Sequence, residues 1–154
     1  ERPPEDDELH GGLVVKPDRF FDTVFARIRQ KNLLRRVQIH EQVSEAERSV
    51  FYRLATVLYF VTKYEGFGLP VLEAQAQSLP VVASTHGALP EISGRDAVLC
   101  DPDDPENILS ALEMVLSDEQ LRARMIEGGL RNVTRFNWSR TAKEIVDMYN
   151  HLFA

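Results

Sequence analysis

The amino-acid sequence predicts an α/β fold: a three-layer Rossmann-like domain in which a parallel sheet carries helices on both faces. The first observation is that short apolar runs, typical of buried strands, alternate with segments of helical periodicity. The second is that the strand-like runs are continuously apolar, as in parallel sheets covered on both sides. The third is the length of 154 residues with 44% hydrophobic content, which suits one domain with its own core.

The composition changes near the start of the chain. Residues 1–12 hold five acidic residues, two prolines and a glycine pair, and this composition predicts a linker or loop with little to bury. A single folded domain is therefore expected at 13–154.

Charge and apolar content exclude several classes of function. The net charge is −6 and the basic residues are scattered, so we expect no nucleic-acid surface. No apolar run approaches the ~20 residues that a membrane-spanning helix needs, and the chain does not open with a signal-peptide pattern. The single Cys100 cannot form an internal disulfide and fits a reducing compartment. These features together predict a cytoplasmic protein.

The first part of the chain predicts three strands and two helices. Pro17 suits a first helical turn, because its ring presets the helical φ angle. Ser44 and Glu47 have the spacing of a capping box, which opens the second helix. In chain order, the predicted elements are a strand at 13–15, a helix from 17, a strand at 36–43, a helix from 45 to about 55 and a central strand at 57–62.

The rest of the chain predicts two further strands and five helices. Asp104 and Pro105 start a helical pattern, and Asn137 precedes another and is expected to cap it, since a side-chain oxygen there accepts from free backbone N–H groups. Cys100 is expected to be a small buried residue in the last strand. The predicted elements are a helix at 70–78, a strand at 80–84, a short helix at 88–93, a strand at 97–101 and helices from 104, at about 118–130 and at 138–153.

The stretch YEGFGLPVLEA follows the third predicted strand directly, at the end where parallel sheets bind ligands. Gly66 and Gly68 permit backbone conformations and close approaches that a side chain would block. Pro70 begins a helix, whose first N–H groups and positive dipole end favour a phosphate. The stretch is neither a Walker loop nor a GxGxxG fingerprint, because Gly-Lys-Ser/Thr is absent and Val71 occupies the third glycine position.

Glu65 and Glu73 lie on the two sides of this glycine turn. A carboxylate beside an anion would be repelled, whereas it can accept hydrogen bonds from the two hydroxyls of a sugar diol. The pattern therefore suits a sugar–phosphate–sugar ligand, which is a nucleotide sugar. Two simpler interpretations stay open: Glu73 can complement the helix dipole, and Glu65 can be a solvated loop acid. A glycosidase pair is less favoured, because sequence spacing over a loop does not define the separation of the carboxylates.

Residues 65–102 resemble the signature of retaining glycosyltransferases with the GT-B fold, family four, also called glycosyl transferases group 1. The stretch EGFGLPVLEAQAQSLPVVAS carries two glutamates at the family spacing, then a small-residue helix and a PVVAS-type strand. The likeness continues through THGALPEISGRDAVLCDPDD and FNWSRTAKEIVDMY, and it covers about residues 36–150. The chain is therefore similar to the C-terminal, donor-binding domain of such enzymes, which is one half of a GT-B fold.

The resemblance implies a role for each residue of the turn. Glu65 would face the hydroxyls of the transferred sugar, as the candidate catalytic residue, and Glu73 would bind the ribose hydroxyls of the nucleotide. Enzymes of this type transfer a hexosyl group from a UDP-, GDP- or ADP-linked sugar with retention of configuration, and they usually need no metal or other cofactor. The other donor-binding residues implied are Gly66, Phe67, Gly68, Leu69, Gly87 and Ala88.

The chain departs from the family pattern in several places. Ser78 and Glu41 stand where the family usually has glycine, and the Arg and Lys that clamp the diphosphate have no counterpart that we can place. The acceptor-binding N-terminal half is missing and is expected as a further domain or partner chain. Peripheral membrane association, if it occurs, is expected only through that half. We therefore predict that the isolated chain is inactive. The alternative is a non-catalytic Rossmann-like interaction domain derived from such an enzyme.

Other side chains have simpler explanations. His40 and His86 lack an Asp or Ser partner recognisable in the sequence, so structural or solvated roles are expected, and no Cys/His cluster has metal-ligand spacing. Trp138 is expected to be a packing anchor. Helices of the family often extend back to the N-terminal half, so Tyr149 or Phe153 is expected to be exposed where that half is absent.

Overall fold

The computed structural model describes residues 11–15 and 21–153. Within these ranges the chain forms five strands and seven helices, and it divides between Arg48 and Ser49 into two compact units. The strands are β1 (Gly11–Val15), β2 (Val37–Glu41), β3 (Leu58–Phe60), β4 (Val81–Ser84) and β5 (Val98–Cys100). The helices are α1 (Phe21–Gln30), α2 (Glu45–Leu54), α3 (Leu69–Ala76), α4 (Leu89–Ser93), α5 (Pro105–Ser117), α6 (Glu119–Val133) and α7 (Trp138–Phe153).

The first unit contains a parallel pair of strands. β1 pairs with β2 in a register that places Gly11 opposite Val37. β1 begins earlier than the predicted position 13, because backbone pairing with β2 recruits two glycines that have little strand propensity of their own. The predicted helix start at Pro17 lies outside the described residues, and α1 is described from Phe21.

The predicted capping box at the start of α2 is confirmed. The Ser44 backbone N–H donates to Glu47 Oε2 at 2.8 Å, and the Glu47 N–H donates in return to Ser44 Oγ at 3.3 Å. The Ser44 hydroxyl, and then its backbone N–H, hold the pKa of Glu47 below its usual range, because both donate to the ionised carboxylate.

The second unit is built on a parallel three-stranded sheet with β4 between β3 and β5. All four residues of β4 are buried, which explains why its sequence is continuously apolar apart from the terminal Ser84. β3 is shorter than the predicted 57–62, because its pairing with β4 extends only from Leu58–Val81 to Phe60–Ala83. The carboxyl ends of all three strands point the same way, so the loops that follow them meet at one edge.

Helices cover both faces of this sheet, as predicted. Val81 and Ala83 project into an apolar cluster with residues of α3 and α4, whereas Val82 projects to the opposite face and packs with α5 and α6. Cys100 is fully buried on the second face, as predicted, and burial raises the pKa of its thiol, with a further contribution from Asp101. The second unit is therefore a three-layer α/β sandwich, the Rossmann-like arrangement expected from the alternation of elements.

The ends of α3, α5 and α7 lie at residues whose type favours a helix end. Asp104 accepts hydrogen bonds from the N–H groups of Glu106 and Asn107, and Asn137 Oδ1 accepts from the N–H of Arg140 at 3.1 Å, so the predicted helix start at Asp104 and the predicted cap at Asn137 are confirmed. Ser78, just beyond the C-cap of α3, has a φ of +62°. This left-handed conformation is the one that glycine adopts most easily, which explains why a glycine is expected there.

The helix α7 corrects one prediction. Trp138 was predicted to anchor packing, but its side chain is 83% exposed, because it opens a helix in which every described residue is exposed. Tyr149 and Phe153 are exposed as predicted, and their rings stack on each other with centroids 6.2 Å apart. Within the two described ranges, every helix is too short or too polar to cross a membrane.

Candidate functional site

The glycine turn joins the end of β3 to the start of α3 at the carboxyl edge of the sheet. Gly68 is the N-cap of α3 and has a φ of +105°, which side chains of L-residues rarely allow. A Cβ atom at this position would lie 2.6 Å from Leu89 Cδ2, so the turn also packs too closely for a side chain. Gly68 is therefore required by both the backbone conformation and the packing.

Glu65 lies on this turn with its side chain partly buried. The Phe67 N–H lies 3.5 Å from Glu65 Oε1, at the long limit for a hydrogen bond. The loop after β4 packs against the same residue: the Ala88 N–H donates to the Glu65 carbonyl at 3.2 Å, and a Cβ atom on Gly87 would lie only 2.8 Å from that oxygen. The structure thus brings Glu65, Gly87 and Ala88 together, although more than 20 positions separate them in the sequence.

The N-terminus of α3 faces the turn. Within this fully described helix, the first turn has no acidic residue, and the N-cap makes no side-chain hydrogen bond. Glu73 is the fifth residue of α3, so its carboxylate is set back by about one turn from the first N–H groups. An anion at this helix end would therefore meet the positive end of the dipole before it meets the Glu73 carboxylate.

The Glu73 carboxylate has a hydrogen-bond donor that the sequence did not predict. The Tyr52 hydroxyl, from α2, donates to Glu73 Oε2 at 3.0 Å, and both side chains are partly buried. A separation of 21 positions and two different helices leaves no local pattern that could have joined these residues. Tyr52 is the one polar residue in the run VFYRL that can combine an aromatic ring for packing with a hydroxyl donor.

Charged side chains also gather at the same edge of the sheet. Lys63, two residues before Glu65, pairs with Asp103 in the loop after β5. The hydrogen bond to Asp103 raises the pKa of Lys63, and the hydrogen bond from Lys63 lowers the pKa of Asp103. His86 Nε2 lies 4.0 Å from Asp101 Oδ1, an acidic neighbour that the sequence did not predict for this histidine.

A groove of about 530 Å³ runs from the glycine turn to the start of α7. The Phe67 ring meets the Phe136 ring edge-on with centroids 6.2 Å apart, and the Arg135 guanidinium lies 5.3 Å from the centre of the Phe136 ring. Trp138 and Arg140 line the other side of this groove. Phe67 was predicted as a binding residue only through its backbone N–H group. Its side chain also forms the boundary between the turn and this groove.

The remaining predicted features are placed as follows. Gly66, Phe67 and Gly68 form the turn and Leu69 begins α3, and the side chains of Phe67 and Leu69 are exposed. Among residues 11–15 and 21–153, no group of three or more His, Cys, Asp or Glu side chains is arranged to hold a metal ion. His40 lies in β2, in the first unit, and is partly buried.

The arrangement can bind an elongated ligand with a negative centre and hydroxyls at both ends. The positive end of α3 suits the centre, while Glu65 and Glu73 offer carboxylate acceptors on either side of it. The chain is therefore an α/β domain whose candidate site lies at the carboxyl ends of parallel strands, where such sheets bind ligands.

Comparison with known proteins agrees with this fold. The family of glycosyl transferases group 1 matches residues 19–132. A D-inositol 3-phosphate glycosyltransferase of Corynebacterium urealyticum is 38% identical over 103 residues, which are 66% of this chain and 24% of that protein. The chain belongs to the glycosyl transferases group 1 family, and it spans about a quarter of the length of this curated relative.

Solved structures share the fold. The sucrose-phosphate synthase of Thermosynechococcus elongatus superposes with a TM-score of 0.78 at 27% identity, over 92% of this chain and 38% of that one. Anabaena HepE in complex with UDP-glucose superposes with a TM-score of 0.82 at 17% identity, over 97% of this chain and 42% of that one. These likenesses agree with a Rossmann-like domain that forms one half of a GT-B glycosyltransferase.

Proposed function

We propose that this chain is the donor-binding half of a retaining glycosyltransferase, which transfers a hexosyl group from a nucleoside-diphosphate sugar to an acceptor. The single observation that carries the proposal is the glycine turn between β3 and α3, which places Glu65 before and Glu73 after the N-terminus of α3. A nucleotide sugar has the matching order of groups: sugar hydroxyls, diphosphate and ribose hydroxyls.

In the proposed complex, the ligand lies along the turn. Glu65 accepts hydrogen bonds from hydroxyls of the transferred sugar and is the candidate catalytic residue. The backbone N–H groups around Gly66, Phe67, Gly68 and Leu69 hold the sugar and the diphosphate, and Glu73 accepts from the ribose. Gly87 and Ala88 support this arrangement through the backbone of Glu65, because the Ala88 N–H donates to the Glu65 carbonyl.

Catalysis requires more than this half supplies. Departure of a nucleoside diphosphate builds negative charge, which cationic groups stabilise in the transition state. The described cation nearest the turn in sequence is Lys63, and it is already paired with Asp103. We therefore propose that the N-terminal half or a partner chain completes the active site, and that this half alone binds the donor without transferring the sugar. A cytoplasmic location suits the buried thiol of Cys100.

Isothermal titration calorimetry with UDP, GDP, ADP and their glucose conjugates tests the proposal. UDP-glucose leads the panel, because HepE, which shares the fold, is in complex with it. We expect one member of the panel to bind. The Glu73→Ala substitution should lower the affinity for that ligand about tenfold or more, since hydrogen bonds to a charged group contribute roughly 1.5–3 kcal/mol. Glu113→Ala, on the exposed face of α5, is the matched control and should bind as the parent chain does.

Two results would contradict the proposal. Absence of binding by every member of the panel at millimolar concentration would favour the alternative, a non-catalytic interaction domain. Equal loss of affinity in Glu73→Ala and Glu113→Ala would show that binding does not involve the turn.

A further inference from the structure

The hydrogen bond between Tyr52 and Glu73 joins two helices at the site. We propose that Tyr52 is a positioning residue, which holds the Glu73 carboxylate in the orientation that accepts the ribose hydroxyls of the donor. This inference rests on the proposed function, because it assigns Tyr52 a role in the same nucleotide site. It concerns the distinction between ribose and deoxyribose rather than the chemical step.

The hydroxyl of Tyr52 comes from α2, a helix without fully buried residues. Its ring packs against the apolar cluster of α3 and β4, so the aromatic part is anchored while the hydroxyl reaches the carboxylate. At the C-cap of α3, Gln77 Nε2 donates to Ser49 Oγ at 3.0 Å. The two bonds pair position 52 with 73 and position 49 with 77, which is the order expected of antiparallel segments, and both connect α2 to α3 or its C-cap.

Fixing the carboxylate in advance favours binding. A glutamate side chain has three rotatable bonds, and ordering them at the moment of binding costs conformational entropy. A donor on Oε2 restricts those rotations before the ligand arrives. An ionised carboxylate has about four lone-pair sites, so it can accept from Tyr52 and from a ribose diol at the same time.

The structural alternative is that the bond only ties α2 to α3. In that case its loss would lower stability and weaken all ligands alike. A positioning role predicts instead that the loss is specific for the ribose hydroxyl. The ratio of affinities for a ribonucleotide and its 2′-deoxy analogue therefore separates the two explanations.

The experiment measures dissociation constants of UDP, GDP and ADP and of their 2′-deoxy analogues, for the full chain and for Tyr52→Phe. This substitution removes one hydroxyl and keeps the ring, and thermal melts check that the variant is folded. For the ribonucleotide that binds, we expect affinity to fall about 3- to 10-fold in Tyr52→Phe, whereas the 2′-deoxy analogue changes by less than about twofold.

Two further variants sharpen the experiment. Ser49→Ala breaks the neighbouring α2–α3 bond without touching Glu73, so it should leave the ribose to deoxyribose ratio unchanged. In a Glu73→Gln background, Tyr52→Phe should produce no further loss of ribonucleotide affinity, since the carboxylate that it positions is gone. This double-mutant cycle measures the coupling between the two side chains directly, whatever the size of either single effect.

The failures are distinguishable. If the parent chain binds a ribonucleotide and prefers it to the deoxy analogue, but Tyr52→Phe keeps that preference, the positioning role is wrong and the proposed function stands. If the parent chain binds none of the nucleotides, the proposed function fails and the positioning role falls with it.

Discussion

Single residues at the glycine turn show what the site requires of the backbone. Gly68 and Gly87 both have positive φ angles, and both lie where a Cβ atom would meet another residue. Gly66 differs, because an added Cβ would meet nothing within 4 Å. The three glycines near Glu65 are therefore not equivalent, although they are the same residue type.

Gly87→Ala should be the most damaging of the small substitutions near the site. Its Cβ would lie 2.8 Å from the Glu65 carbonyl oxygen and its φ is +63°, so the loop must shift. We expect a loss of about 1–3 kcal/mol in the free energy of unfolding, measured by urea denaturation. Gly66→Ala is the matched control and should change stability by less than about 0.5 kcal/mol. Equal stability of the two variants would argue against the packing of Gly87 on Glu65.

The sequence predicted some site residues and missed others for a physical reason. Glu65 and Glu73 were predicted because they share one short stretch with a glycine turn. Tyr52 was missed because its hydroxyl reaches Glu73 only when α2 packs against α3. Trp138 was mispredicted because a large aromatic residue usually finds a partner, whereas this one is 83% exposed.

At the scale of elements, helix ends were easier to predict than strand ends. Capping by Ser44, Asp104 and Asn137 is a local interaction within a few residues, so sequence spacing specifies it. A strand ends where its partner stops pairing, which depends on distant residues. This explains why β3 is shorter and β1 longer than predicted.

The C-terminal end of α3 offers a test at this scale. Ser78 adopts a φ of +62° and is exposed, so glycine should occupy the position with less strain. We expect Ser78→Gly to raise the free energy of unfolding by about 1 kcal/mol. Ser117→Gly, at the last residue of α5, is the control. It should not stabilise the chain, because Ser117 does not have a left-handed backbone conformation whose strain glycine would relieve. A destabilised Ser78→Gly variant would contradict this explanation.

At the scale of the molecule, the described residues include the glycine turn before α3 and a C-terminal helix, α7, whose apolar side chains are exposed. Apolar side chains along α7, among them Ile145, Val146, Met148 and Tyr149, are about half exposed. The family match covers most of the chain, yet the chain spans only 24% of its curated relative. Ligand binding at the candidate site and the activity of a longer protein are therefore separate questions.

We predict that the chain alone has no glycosyltransferase turnover. No Arg or Lys of the sequence can be matched to the diphosphate clamp of the family, and electrostatic stabilisation of the departing diphosphate is usually the largest catalytic term. Incubation with the donor that binds in calorimetry and a panel of sugar and inositol-phosphate acceptors, followed by mass spectrometry, should detect no transfer product above a protein-free control. Robust transfer would refute this prediction and would place the missing cations within the chain.

The central claim is that a nucleotide sugar lies along the glycine turn between Glu65 and Glu73. An amide chemical-shift titration with UDP-glucose, or with the nucleotide sugar that calorimetry selects, tests it most directly. We expect the largest shifts at the backbone N–H groups of Gly66, Phe67, Gly68 and Leu69, with smaller ones at Gly87 and Ala88. Saturable binding whose shifts leave these amides unchanged and cluster elsewhere would contradict the account.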